Sequence, residues 1–558
     1  MEHKLALLWP EIAMFATTCL VLVLGLSRTR LLRQSCALVC GVGLLVAGVL
    51  AVTTTPAVAT ALPNLPLYAK LMVAAVGLVL TLLMAGSADR ELEAEVSRGA
   101  KFDPIRSVRA EFWAFYMFSL TGLMLCCSAD DLIWLFLALE LTSLPTYVMV
   151  AISTRRNRSM EAAVKYFFLG ALGAAIFLYG FALIYGGTGS TSFLAIRDAI
   201  ALQASAAGGG EVNPLVMLGL VLALVGVSFK IAAVPMHFYT PDVYEGSSAS
   251  MAGFLAFVPK AAGMLSILAL CSMVGWRFSP AGSGTTTLGA AAGLGGEQLP
   301  DVLRVLLIVL AVLTMTIGNV LAIMQHSIKR ILAYSSIAHS GYMLVGVIAG
   351  PGPAGSDFTR NGVSAVLFYL FCYGIMTIGA FSVVACLEKK SHDPSGEETV
   401  EADDVDDLKG LVQTRPVLGW TMVISSMGLL GLPPLLGFFG KLPLFTAAIG
   451  AGEIPLVLIL GLNSAIAAYY YLRLAYVCFV SDPERVPNAP AVVEGPFTPR
   501  KMAGVVSMVC VVALAIGGSR LTDWATLAGT YQPAVLGQGA QQATPAVELL
   551  MPVAQTRP

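Results

Sequence analysis

The sequence predicts an all-α polytopic membrane protein of about fourteen transmembrane helices, with two inverted five-helix repeats and two discontinuous helices. Three observations carry this prediction. Apolar residues make up 57% of the 558 positions and charged residues 12%, where a soluble domain would carry about 25% charged residues. Mean hydropathy is +0.80, and apolar runs of about 20 residues follow one another, each long enough to cross a ~30 Å hydrocarbon core. Two of these runs are broken by proline and carry a lysine at the break: GVSFKIAAVPMHFYTPDVYEG (226–246), with Lys230 and Pro235, and GLLGLPPLLGFFGK (428–441), with Pro433, Pro434 and Lys441.

In chain order the spans fall near 5–26, 31–52, 67–86, 111–128, 131–153, 161–186, 214–238, 250–276, 302–324, 328–350, 362–387, 415–450, 454–478 and 502–518. The first run has no cleavage site of signal-peptide type and reads as a retained span. The segment 415–450 would extend roughly 50 Å as one straight helix, well beyond the ~30 Å core. Its two adjacent prolines and four glycines instead predict a discontinuous helix. The interrupted span bearing Lys441 comes five spans after the one bearing Lys230. Corresponding interruptions in two halves mark transporters built from repeats, with the ion site at the breaks. Five is odd, so the second repeat would be inverted. The chain accordingly divides into three N-terminal helices with a loop (1–110), a first repeat (111–276), a second repeat (300–480), and a last helix with a polar tail (481–558).

Loop charge predicts the orientation. Alternate loops carry Arg28, Arg30 and Arg33; Arg90 to Arg109; Arg155, Arg156 and Arg158; Lys329 and Arg330; Lys389 to Arg415; and Arg485 to Lys501. The other set holds isolated basic residues such as Arg197, Arg277 and Arg360. Both termini are therefore expected outside. The short loop Asp242–Glu245 runs against the pattern, being acidic on the inner side. The acidic stretch 392–407 (HDPSGEETVEADDVDD) reads as a solvated loop, and the Gln-, Ala- and Pro-rich tail from Leu521 as poorly ordered.

A net charge of −1 points to no nucleic-acid partner. The ten cysteines are scattered without a CxxC pair, against an iron–sulfur or zinc site. No Walker A motif, no GxGxxG and no cysteine cluster supplies an energy source. The drive must come from a partner or an ion gradient, since moving a charge against 100 mV costs about 2.3 kcal/mol.

Four ionisable residues lie deep in apolar spans: Glu140 (FLALELTSLPTY), Lys230, Lys260 (FLAFVPKAAGML) and Lys441. A charge at mid-span costs roughly 2.5–3.5 kcal/mol on insertion scales and marks a functional site by default. Fastening of two helices by a Glu–Lys pair, or snorkelling of a lysine, is the structural alternative. Three lysines against one glutamate leave unpaired cations, which fastening does not need. A row of such groups joined by water would pass protons. Lys165, His237 and His339 are secondary candidates: Lys165 has Glu161 one turn away for an i,i+4 pair, His237 lies by the first break, and His339 is mid-span, as suited to a core hydrogen bond as to a proton relay.

At VPMHFYTPDVYEG (234–246), FVPKAAG (257–263), KRILAYSSIAHSGY (329–342), DDLKGL (406–411) and GLPPLLGFFGKLPLF (431–445), with LIWLFLALELTSLPTY around Glu140 and EAAVKYFFLGAL (161–172), the chain resembles subunit N of proton-pumping NADH–quinone oxidoreductase, respiratory complex I. The likeness runs from about Leu5 to Gly518, and PDVYEG separates this family from its L and M relatives. One departure is SSAS at 247–250, where the family usually has an Ala-Pro-Thr turn. The resemblance implies a subunit of NADH:quinone oxidoreductase in a bacterial inner membrane, packed among other membrane subunits, with NAD, FMN, iron–sulfur clusters and quinone held by other chains and none in this one. It implies Glu140 and Lys230 as the charge pair of a first half-channel, Lys260 as the central relay and Lys441 as the residue of a second half-channel. A subunit of a multi-subunit sodium/proton antiporter is the alternative reading. An enzyme acting on lipid-linked substrates is a third, with only His237, Asp242 and Glu245 as a candidate group.

Overall fold

The computed structural model describes residues 2–531 apart from 56–59, 90–91, 93–95, 97–98, 100, 104–105, 155–156, 207–211, 279–296, 353–356, 394–395, 481–491 and 496–497. Among the described residues, twelve helices are long and apolar enough to cross a membrane, and three shorter apolar helices accompany them. The N-terminal group is α1 (Glu2–Gly25), the short α2 (Arg30–Gln34), α3 (Cys36–Thr54) and α4 (Leu65–Met84). Next come α5 (Arg109–Cys127), α6 (Leu132–Ile152), α7 (Asn157–Thr188), α8 (Phe193–Ala206), α9 (Pro214–Ser228), α10 (Tyr239–Gly246) and α11 (Ala249–Val274). The remainder is α12 (Asp301–Ile323), α13 (Ile328–Ala349), α14 (Gly362–Cys386), the single turn α15 (Leu411–Thr414), α16 (Pro416–Leu430), α17 (Leu436–Gly450), α18 (Ile454–Val477), α19 (Thr498–Gly517) and α20 (Ser519–Ala528).

Both expected breaks are present. The first separates α9 from α10, and the second separates α16 from α17. Each break contains a cis X–Pro peptide, at Val234–Pro235 and Pro433–Pro434. Backbone groups freed inside an apolar layer need partners. At the first break the Val234 amide donates to Thr314 Oγ1 of α12 at 2.9 Å, and the Phe229 carbonyl accepts from the Tyr239 hydroxyl at 2.8 Å. At the second, Gly431 takes φ 88°, which ends α16.

Packing is graded from centre to rim. The hydropathic stretches of α13 and α14 are wholly buried and that of α11 nearly so, whereas those of α1, α3, α7, α18 and α19 are about one-third buried. The rim helices thus present apolar side chains outward, among them Leu38, Phe168 and Leu458, as lipid-facing helices do. Lipid tails remove the hydrophobic drive between helices, so close contact through small residues takes its place. The α7–α9 pair shows this. A Cβ at Gly180 would lie 2.5 Å from the Ala223 amide nitrogen, and one at Gly226 would lie 2.4 Å from the Phe177 amide nitrogen. That crossing fixes the end of α9, and with it Lys230.

Three expectations change. The stretch 392–407, expected as a solvated loop, contains regular structure: β1 (Leu387–Asp393) pairs antiparallel with β2 (Gly396–Glu401), followed by a 3-10 turn at Val405–Leu408. The tail from Leu521 onward begins in the helix α20, ending at Ala528, and 532–558 lie outside the described residues. The short acidic loop Asp242–Glu245 is helical within α10, and its acids are locally neutralised. Arg330 reaches Asp242 at 3.1 Å and Glu245 at 2.7 Å, and Lys165 reaches Asp242 at 3.0 Å. Where the family turn is replaced by SSAS, Ser248 caps α11 by accepting from the Met251 amide at 3.3 Å. The amphipathic α8, between two spans, had no counterpart in the span pattern.

Candidate functional site

Glu140 sits midway along α6, on the face turned to the end of α9. Lys230 follows the last turn of α9, where Phe229 caps the helix. Its Nζ donates to Ser143 Oγ at 2.6 Å and lies 3.3 Å from Glu140 Oε1. The Lys230 side chain is 1% exposed and that of Glu140 18%, so the ammonium depends on these two partners for its compensation. The two residues are ninety positions apart and come together through the α6–α7–α9 packing.

Lys260 is one position past Pro259 in α11 and is buried. Its Nζ has no hydrogen-bond partner among the described residues. It does share a cavity with Lys230. Both lysines, with Tyr166, Tyr239, Thr240 and Tyr244, line a narrow cavity of about 10 Å³ under the first break. That is close to the ~10–15 Å³ a single water needs, and the hydroxyl groups on its wall suit one. A wider opening of about 270 Å³ is lined by Arg158, Glu161, Lys165, Asp242 and Glu245.

His339, on α13, engages both ring nitrogens: Nδ1 with the Tyr369 hydroxyl at 2.5 Å and Nε2 with the Tyr471 hydroxyl at 2.8 Å. Tyr471 also bonds Ser335. The imidazole lies within electrostatic reach of both Lys260 and Lys441. Lys441, near the start of α17, donates to the Leu430 carbonyl at 2.9 Å and sits 5.1 Å from the Tyr342 ring centre. That carbonyl ends α16, so the ammonium meets the negative end of a helix dipole in place of a carboxylate.

The sequence-predicted residues thus fall into one series: Glu140, Lys230, the shared cavity, Lys260, His339 and Lys441. Lys165 stands apart at this wider opening, held by Glu161 at 2.8 Å and by Asp242 at 3.0 Å. The expected i,i+4 pair is therefore present, with a second acid added. His237 is buried at the first break with its ring 4.5 Å from that of Phe238, and it does not line the Lys230–Lys260 cavity.

Sequence reasoning missed several buried charges. Lys329 is 6% exposed and donates to the Glu245 and Ser247 carbonyls at 3.1 and 3.0 Å, with Glu401 at 3.3 Å. Arg304 pairs with Glu453 at 2.6 Å. Glu11 of α1 and Lys70 of α4 form a wholly buried pair at 2.8 Å. A signal for the last was present, since Pro10 interrupts α1 beside Glu11.

Comparison with known proteins identifies the family. Residues 129–285 and 298–467 match the family described as NADH:quinone oxidoreductase/Mrp antiporter, transmembrane. The NADH-quinone oxidoreductase subunit N of Bdellovibrio bacteriovorus is 40% identical over 370 residues, 66% of this chain and 68% of its own. In structure the chain is similar to a chain of respiratory complex I from Thermus thermophilus, with TM-score 0.68 and 29% identity over 92% of this chain and 98% of that one. A chain of the Mrp complex from Dietzia superposes with TM-score 0.69 at 19% identity over 96% and 98% of the two chains, a likeness of fold alone. With a family model over more than half its length and a relative of this identity over two-thirds of that relative, the chain belongs to the NADH:quinone oxidoreductase/Mrp antiporter transmembrane family, in the branch of subunit N of NADH–quinone oxidoreductase.

Proposed function

We propose that this protein is a proton-translocating membrane subunit of NADH–quinone oxidoreductase, coupling electron transfer from NADH to quinone on other subunits to proton movement across a bacterial membrane. NAD, FMN, iron–sulfur clusters and quinone belong to those other subunits in this reading, and this chain carries no redox centre. Both termini lie on the outer side, following the loop charge. The observation that carries the reading is the Lys230–Lys260 cavity, with Lys230 tied to Glu140 on one side and Lys260 held by no protein acceptor on the other.

The chemistry follows from pairing. While Glu140 holds Lys230, the ammonium form is favoured, and a partner that draws Glu140 away releases a proton toward the cavity. Lys260 accepts it, His339 and its tyrosines extend the series, and Lys441 passes it on from the second break. Redox energy enters as a displacement of the Glu140–Lys230 pair by a neighbouring membrane subunit.

Lys230→Ala and Glu140→Ala are expected to lower proton pumping and quinone reduction several-fold in a complex that still assembles, measured in inverted membrane vesicles. Full pumping in both variants would overturn the reading. The sodium/proton antiporter reading shares the fold, and sodium-dependent transport without NADH would favour it.

A further inference from the structure

The Glu11–Lys70 pair lies outside the series just described, yet it has the same make-up. Lys70 Nζ is 2.8 and 3.0 Å from the two Glu11 oxygens and also donates to the Leu7 carbonyl at 2.5 Å. Glu11 is 4% exposed and Lys70 wholly buried. Glu140, Lys260 and Lys441 each lie within five residues of a proline inside their own helix: Pro145, Pro259 and Pro443. Glu11 repeats this with Pro10. An interior proline removes one helix hydrogen bond and leaves a carbonyl without its usual donor. Such backbone is tolerated at membrane depth where it lines protein or a water-filled cavity.

A polar track joins this pair to Lys230. Ser143, the hydroxyl partner of Lys230, is next to Thr142, and the Cys126 thiol lies beside Thr142 and Ser266 and within electrostatic reach of Lys230. Cys126 and Cys127 then line a further small cavity of about 20 Å³, room for a water, with Thr60, Phe193, Ala269 and Ser272. The next residue, Ser128, donates to Glu11 Oε1 at 3.2 Å. The wall of this cavity comes from the ends of α5 and α11, the start of α4 and the start of α8, which all lie at one face of the bundle. Loop charge assigns that face to the outside.

We propose that the buried Glu11–Lys70 pair is an outward proton-release site fed from Lys230 through the Cys126–Ser272 cavity. This rests on the proton-translocating reading above. Lys230 then has two acceptors, Lys260 across the cavity they share and, on the outward branch, Glu11; a proton that the Lys230 ammonium gives up to this branch passes along the track and is taken by the Glu11 carboxylate. Glu11 is then neutral, and its ion pair with Lys70 is lost. Loss of that proton to the outer water restores the carboxylate and re-forms the pair, so no charge accumulates over the cycle. A pair that only fastened α1 to α4 would not need the hydroxyl bridge from Ser128, which sits between Cys127 and Ala129 of the cavity wall.

The test uses the whole complex in inverted vesicles, with Glu11→Leu/Lys70→Met made together. Replacing a buried ion pair by apolar residues of similar volume is often neutral or stabilising, so this double variant retains fastening while removing the titratable groups. The expected result is an assembled complex whose proton pumping falls several-fold. Pumping at the unmodified rate would show that the pair only fastens, and would overturn the proposal. Lys230→Ala run in parallel separates the two readings. If that variant pumps fully, the underlying function fails; if it is defective while the double variant is not, only the release site fails. Should the double variant not assemble, the unmodified complex decides through labelling of Glu11 by a hydrophobic carbodiimide, which needs the protonated acid. Labelling faster during NADH oxidation than at rest supports the proposal, and equal labelling overturns it.

Discussion

The Lys441 ammonium donates to the Leu430 carbonyl at 2.9 Å, so the second break is closed by its own lysine against the end of its own first half. At the first break the equivalent position is taken by a carboxylate from another helix, Glu140. The two breaks therefore hold their lysines by different means, an ion pair in one and a helix end in the other.

Replacement of Lys441 separates charge from titration. Arg keeps the cation and a donor for the Leu430 carbonyl but does not deprotonate in proteins. Lys441→Arg is expected to assemble and to lose most proton pumping, as is Lys441→Met. Vesicle pumping per NADH oxidised measures this, and normal pumping in Lys441→Arg would reduce Lys441 to a clasp.

The second break also depends on an unfilled contact. A Cβ on Gly437 would lie 1.8 Å from the Gly428 carbonyl oxygen, a backbone atom that has no freedom to swing aside. Gly437→Ala is expected to force α17 from α16 and to cost at least the ~1–3 kcal/mol of an overpacked core. Gly450→Ala is the control, because its nearest neighbour is Arg360 at 4.0 Å. Yield and thermal lifetime of the solubilised complex should fall for the first variant only.

Arg304 and Glu453 pair at 2.6 Å with side chains 20% and 6% exposed. Removing one partner leaves an uncompensated charge. Glu453→Ala should destabilise by about 3 kcal/mol, the low end for a broken buried pair, because Arg304 keeps some access to water. Arg304→Met/Glu453→Leu should recover most of the loss in the same thermal assay. A double variant as weak as the single would contradict this account.

Asp403 gives a pH dependence. Burial pushes its carboxyl up, outweighing the opposing Lys329 charge and the bonds from Ser327 Oγ at 2.6 Å and the Lys329 amide at 2.8 Å. The folded protein therefore takes up this proton more readily than the unfolded chain. The group's contribution is full below the unfolded value near ~3.9 and is lost as pH rises through the raised folded value. Hydrogen exchange at the start of α13 and at the Val405–Leu408 turn, corrected for intrinsic rate, should show weaker protection as pH rises from about 4. Asp403→Asn should flatten that slope, and equal slopes would contradict it.

What the sequence made legible was what the bilayer forces into view. Lys230, Lys260 and Lys441 stand out because a charge in an apolar run has no cheap explanation, and Pro235 and Pro433 stand out because they stop a helix. Glu11 and Lys70 escaped notice because each lies near the end of its run, where a charge passes as snorkelling; only their meeting, 59 positions apart, makes them a buried pair. Lys329 was read as loop charge for the same reason. The β1–β2 hairpin was hidden by its composition: LEKKSHD and GEETVE lack the apolar alternation that announces a sheet. His339 was left open between two roles, and its contacts with Tyr369 and Tyr471 come from α14 and α18, which no local pattern could bring to α13.

Glu401 ends the β2 strand with both oxygens on the Ala249 amide, at 2.9 and 3.0 Å, and one of them 3.3 Å from Lys329 Nζ. One carboxylate thus clamps the first turn of α11 to the first turn of α13. The helix carrying Lys260 and the helix carrying His339 thus share an anchor that neither of them supplies, and a change at this one carboxylate reaches the start of both.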